Sequence, residues 1–205
     1  MLDIDAISKL HRAMVVHWHS NPIDNPYRDF LSLVCQQFSF NFQLWHEEDI
    51  ARSLEVSDAE IARVKRSIDR FNQQRNDAIE KLDDWITERL AELNIAAAEQ
   101  APLNTETLGS VIDRLSILAL RIYHLEEQTQ RTDATAEHVA SVERKLAIAL
   151  VQQDDLTQSL RELATDIFAG RKRHKTYRQM KMYNDPALNP YLYQARQRSS
   201  ARTTP

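Results

Sequence analysis

Only two glycines, Gly109 and Gly170, occur in the 205 residues of this chain, and that shortage constrains its fold more than any other feature. Sheets, tight hairpins and phosphate-cradling loops draw on glycine for positive-φ turns and close backbone approaches, so all-β, Rossmann and P-loop architectures are disfavoured. Long helices need almost none. The length suits one sizeable core and is too short for two comfortable ones. The predicted fold is therefore all-α: a single-domain bundle of about five long helices plus a short basic C-terminal helix. The bundle with its docked C-terminal segment is expected over residues 1–193, with a disordered tail at 194–205.

The helices follow from apolar spacing. Ile4, Ile7, Leu10, Met14 and Trp18 mark the first, over about residues 4–19, before Asn21-Pro22 and Asn25-Pro26 break the chain. A second is expected over about residues 27–52. Ser57 and Glu60 stand three apart, as in a capping box, and open a third helix that runs to about Asn94. The fourth, about residues 105–131, is apolar on most sides, which marks a central helix. The fifth, about residues 134–169, alternates steps of three and four through Val142, Leu146, Ala149, Gln153 and Leu156. That 3.5-residue period predicts coiled-coil packing along a long neighbour, and Gly170 is its natural stop. Arg171 to Met182 reads as the short basic helix.

Charge is unevenly spread. Net charge is −4, yet residues 1–169 carry 17 Lys/Arg against 29 Asp/Glu, and residues 170–205 carry 9 against 1. The basic end either folds back on the acidic body or binds an anion. Tyr177 and Tyr183 interleave with Arg171, Arg173, Lys175, Arg178 and Lys181, a pattern that also suits single-stranded nucleic acid. An acidic chain without a second basic patch argues against nucleic acid as the partner. The acidic start, Met1-Leu2-Asp3-Ile4-Asp5, and the lack of a long uncharged apolar run predict a cytoplasmic protein without a membrane span. Cys35 is the only cysteine and lies among Phe30, Leu33 and Val34, where a buried inert thiol is expected.

Polar residues interrupt the apolar stripes. Arg75 falls in the middle of the core stripe of the third helix and Asn72 at its edge, with Asp69, Asn76 and Asp83 alongside. A buried arginine needs a carboxylate or a wet cavity. The second helix shares Asn41, Glu48 and Arg52 with the face of Phe30, Val34, Phe38 and Trp45, and Asp49 borders it. The fourth contributes Asp113, Tyr123 and His124. Two readings stay open: a network that fixes helix register, or a ligand pocket with Glu48, Asp49 and His46 as acid–base candidates. Metal ligation is not expected. His46-x-x-Asp49 shares a face, but the paired Glu-x-x-His of di-iron bundles is missing, and His17 and His19 point to different sides of their helix. Whether a cofactor is used is unknown from the sequence.

The stretch Asn41-Phe-Gln-Leu-Trp45-His46-Glu-Glu48-Asp49-Ile-Ala-Arg52 resembles an N-x-x-L-W-H-x-E-D-x-A-R signature of a bacterial helical family of unknown function. Ile68-Asp69-x-x-Asn72-Gln-x-Arg75-Asn76-Asp77 is similar to its second block, and Tyr183-Asn184-Asp185-Pro186-Ala-Leu-Asn189-Pro190 to its last. The resemblance implies a bacterial one-domain protein associated with surface-polysaccharide assembly, and it brings no activity. The expected ligand is a small anion such as a sugar phosphate or nucleotide sugar. Asn41, Trp45, Arg52, Asp69, Asn72, Arg75, Asn76, Tyr177, Arg178, Lys181 and Asn184 are its candidate contacts. The alternative is a homodimer or an adaptor protein that uses the heptad face of the fifth helix, with Gln153 as its register-fixing residue.

Overall fold

Five long helices form where apolar spacing puts them: α1 (Ile4–Ser20), α2 (Asp29–Arg52), α3 (Asp58–Glu92), α4 (Leu108–Thr129) and α5 (Ala136–Phe168). The computed structural model describes residues 2–180, 182 and 185–194. Among them there is no strand, only an isolated bridge between Leu103 and Arg173. Each start has a physical cause. Asp3, Ser57, Thr107 and Thr135 accept amides of the first turns of α1, α3, α4 and α5. The box expected at Ser57 is half formed, because Glu60 spends its carboxylate on Arg63. The reciprocal box is made instead by Thr107 and Ser110.

Short connections make α2 and α3 one antiparallel hairpin and α4 and α5 another. α4 is central and touches each of the other four helices. Phe38, Ile7, Leu10, Leu82, Ile86, Ile112, Leu120 and Leu160 fill the main core and are fully buried. The heptad row of α5 is spent within the chain. Val142, Ala149 and Leu160 are buried, and Leu146 and Leu156 pack on Leu118 and Ile122 of α4. Gln153 borders a groove beside Val16 and Glu126. Cys35 is buried as expected, and burial pushes its thiol up to about 12.

Both glycines are needed. A Cβ on Gly109 would stand 2.7 Å from the Ile79 carbonyl oxygen, so the start of α4 can sit on α3 only without a side chain. Gly170 has φ 70° and ends α5 in the left-handed region.

The basic segment differs from expectation. Residues 171–180 hold no helix, and an α-helical turn appears at residues 190–194. Tertiary partners outcompete the helical ladder: the Arg173 amide donates to the Pro102 carbonyl at 3.0 Å and the Gln179 amide to Glu80 at 2.8 Å. Lys181, Tyr183, Asn184 and residues 195–205 lie outside the described residues, and with them most of the expected tail. No helix among the described residues is long and apolar enough to cross a membrane.

Candidate functional site

Asp113 is the only carboxylate in the first four turns of α4, and it is 4% exposed. Its Oδ1 accepts from Gln37 Nε2 at 2.6 Å, Asn41 Nδ2 at 2.8 Å and Arg75 Nε at 2.7 Å. Its Oδ2 accepts from Arg75 Nη2. Asn41 also donates to Ser116 Oγ at 2.7 Å, and Ser116 donates to the Asp113 carbonyl. An acceptor-only carboxylate turns the amide nitrogens of Gln37 and Asn41 inward, and the bidentate arginine neutralises it. Hydrogen bonding to Asp113 raises the Arg75 pKa and keeps the guanidinium charged. The group ties α2, α3 and α4 together at one level.

Above it lies a cavity of about 400 Å³ lined by Asn41, Leu44, Trp45, Glu48, Asp49, Arg52, Asn72, Arg75, Ile117 and Leu120. Seven of the predicted ligand or acid–base residues meet there: Asn41, Trp45, Glu48, Asp49, Arg52, Asn72 and Arg75. Arg52 pairs with Glu48 at 3.0 Å across one helical turn, and both are substantially exposed.

Other predicted residues lie elsewhere. Asp69 pairs with Lys65 on the outer face of α3, and Asn76 is not among the cavity's lining residues. Arg178 pairs with Glu80 and Asp84 at 3.0 and 2.8 Å, further along α3. Tyr177 borders a small crevice with Leu103 and Ile167. The described part of the basic segment thus follows α3 and does not line the cavity. Its His174 reaches the carbonyl of Asp83, whose side chain accepts the Gly109 amide at 2.8 Å. Burial raises the Asp83 pKa, against the lowering pull of Thr107, Gly109 and His174.

His46 faces away from this cavity into a different group. His19 from the last turn of α1, His46 from α2 and His124 from α4 each offer a ring nitrogen within 4.8 Å of the others. Aromatic rings hold them: His19 stacks on Tyr123 at 4.1 Å, and His124 on Trp45 at 4.9 Å. Phe42 meets His19 and His46 edge-on. His19 Nδ1 lies 2.6 Å from the Val15 carbonyl, and His124 Nδ1 lies 2.7 Å from Glu127 Oε2. The Nε2 atoms of both are buried and make no hydrogen bond. An unsatisfied buried polar atom costs about 1–3 kcal/mol. Burial, then His19 and His124, lowers the His46 pKa, while Asp49 and Glu127 oppose them.

The apolar stripes single out Asn41 and Arg75 more clearly than Asp113, whose signal is an acid alone in the apolar first four turns of α4. Gln37 and Ser116 gave none. His17 and His19 point to different sides of their helix, which makes them a poor joint ligand pair in the sequence, and His17 faces Asp24 in the structure.

The sequence signature of a family described as "Protein of unknown function (DUF4254)" matches residues 31–176, more than two thirds of the chain. No curated protein and no solved structure matches it.

Proposed function

The chain belongs to this uncharacterised family, and from that premise we propose that it binds a small polar molecule of the sugar-phosphate or nucleotide-sugar class in the cavity between α2, α3 and α4. The observation that carries this reading is the joint lining: an indole and three aliphatic walls beside carboxylates, amides and two guanidinium groups. Trp45 offers a flat apolar face to a ring. Asn41, Asn72, Glu48 and Asp49 suit hydroxyls. Arg52, exposed and paired with Glu48 at the rim, is the more accessible cationic contact for a phosphate, because Arg75 commits its Nε and Nη2 to Asp113 and keeps only Nη1. Glu48 and Asp49 are the rim groups capable of acid–base work. A ligand of this class fits the link to surface-polysaccharide assembly that the motif resemblance implies.

The experiment is calorimetric titration with a panel of sugar phosphates and nucleotide sugars on the parent, Arg52→Gln and Trp45→Phe. Neither substitution touches the Asp113 group. Binding to the parent that weakens at least tenfold in both variants is expected. No binding by any compound, or binding indifferent to both changes, contradicts the reading.

A second reading, a homodimer or adaptor, has one observation in its favour. Ile148 and Val151 on α5 are 59% and 60% exposed. Sedimentation of the parent and of Ile148→Glu decides it: a concentration-independent monomer in both removes the dimer.

A further inference from the structure

The three histidines that meet between α1, α2 and α4 point to a use that the cavity does not explain. We propose that His19, His46 and His124 form a three-histidine site for a divalent transition metal of the zinc class. The nitrogen donors themselves select the ion: imidazoles suit zinc, cobalt, nickel or copper and not magnesium or calcium.

The hydrogen bonds fix which nitrogens are available. A carbonyl oxygen can only accept, so the contact with Val15 keeps the His19 proton on Nδ1. The Glu127 carboxylate does the same for His124. Each ring therefore carries its lone pair on Nε2, and these two atoms are the buried, unpartnered ones. A carboxylate or carbonyl behind each imidazole is the usual outer support of a histidine ligand, orienting the ring and raising its basicity. Tyr123 and Trp45, stacked on the rings, hold them in place.

The metric is close to that of a real site. Nitrogens about 2.0–2.1 Å from a tetrahedral ion stand about 3.3 Å apart, so the atoms need to draw in by at most about 1.5 Å from their 4.8 Å limit. Glu127 and Asp49 supply negative charge near the cluster, which offsets the charge of the ion. Three protein ligands leave a fourth position open to water or a ligand group. Trp45, stacked on His124, also walls the cavity, and Asp49 lines it, so the centre adjoins the pocket without depending on it. A purely structural ring cluster would explain the stacking. It does not explain two buried nitrogens that carry no proton and meet no donor.

The test uses the full chain stripped by a chelator and titrated with zinc chloride and cobalt(II) chloride at neutral pH. The proposal expects one ion per chain, intense visible bands of four-coordinate cobalt, and at least a hundredfold loss of affinity in His46→Ala and His124→Ala. Glu127→Gln weakens binding roughly 10–100-fold, as outer supports do. His17→Ala and His138→Ala leave it unchanged. Should a variant fail to fold, zinc-induced shifts of the histidine side-chain nitrogens in the parent give the same answer. Shifts at His19, His46 and His124 support the site. Absence of binding, binding indifferent to these substitutions, or shifts confined to His17, His138 or His174 overturns it.

Discussion

Asp113 and His124 stand on the same helix, three turns apart, and each gathers polar groups from neighbouring helices. Around Asp113 nearly every demand is met: one carboxylate takes four hydrogen bonds from three donors, and one arginine cancels its charge. Around His124 the demands are left open, with buried nitrogens that have neither proton nor partner. The first arrangement leaves one acceptor open, Gln37 Oε1, but its charges cancel within the protein and it serves as scaffold. The second gains only by meeting something from outside. Buried polarity marks a functional centre through what it leaves unsatisfied, more than through how much of it there is.

The largest effect should come from breaking the closed group. Arg75→Met leaves Asp113 buried without its counter-charge and should cost about 3–5 kcal/mol. Adding Asp113→Leu in the same chain should recover most of that loss, and urea unfolding of both variants measures it. Equal stability of Arg75→Met and parent would show that the pair is solvated.

The open group should respond to metal. At roughly 100 times the dissociation constant, zinc should stabilise the parent by about 2.7 kcal/mol and leave His124→Phe unmoved. A comparable shift in both would place the ion elsewhere.

His11 sharpens the contrast, since it too has a buried and unpaired Nε2 but no second histidine beside it, only the edge of Phe38. Burial lowers its pKa to about 3. As the pH falls below about 6.5, the unfolded chain takes up a proton that the folded chain refuses down to about pH 3. Stability is therefore full above that window and falls through it, by about 2 kcal/mol at pH 5. The drop between pH 7 and pH 5 should be smaller by about that amount in His11→Leu. An equal drop in both chains would mean that His11 charges inside the fold.

The smallest effect should be that of closing the open group with carbon. Without metal, His124→Phe keeps the stack on Trp45 and removes an unsatisfied nitrogen, so it should change stability by less than about 1 kcal/mol. A loss as large as that of Arg75→Met would make His124 part of the scaffold.

Much of this could be read from the sequence, and the limit has a physical form. Helix positions came from the apolar period, and Ser57 and Gly170 marked ends correctly, because caps act within a few residues of their own amides. Asn41 and Arg75 stood out because a polar side chain on an apolar stripe is visible along one helix. Asp113 as their common acceptor was not, since that depends on the register between α2, α3 and α4. The basic segment read as a helix because composition alone says nothing of Pro102 and Glu80, the distant groups that take its amides. His19, His46 and His124 were hardest to see. They lie on three helices, far apart in sequence, and spacing rules for metal ligands see only one helix at a time.

X-ray absorption at the zinc edge, on the full chain loaded with one equivalent of zinc and desalted, tests the contrast most directly. Three imidazole nitrogens at about 2.0–2.1 Å in a four-coordinate shell are predicted. Zinc lost on desalting, or held in a six-coordinate oxygen shell without imidazole scattering, would contradict it and leave the histidines as packing.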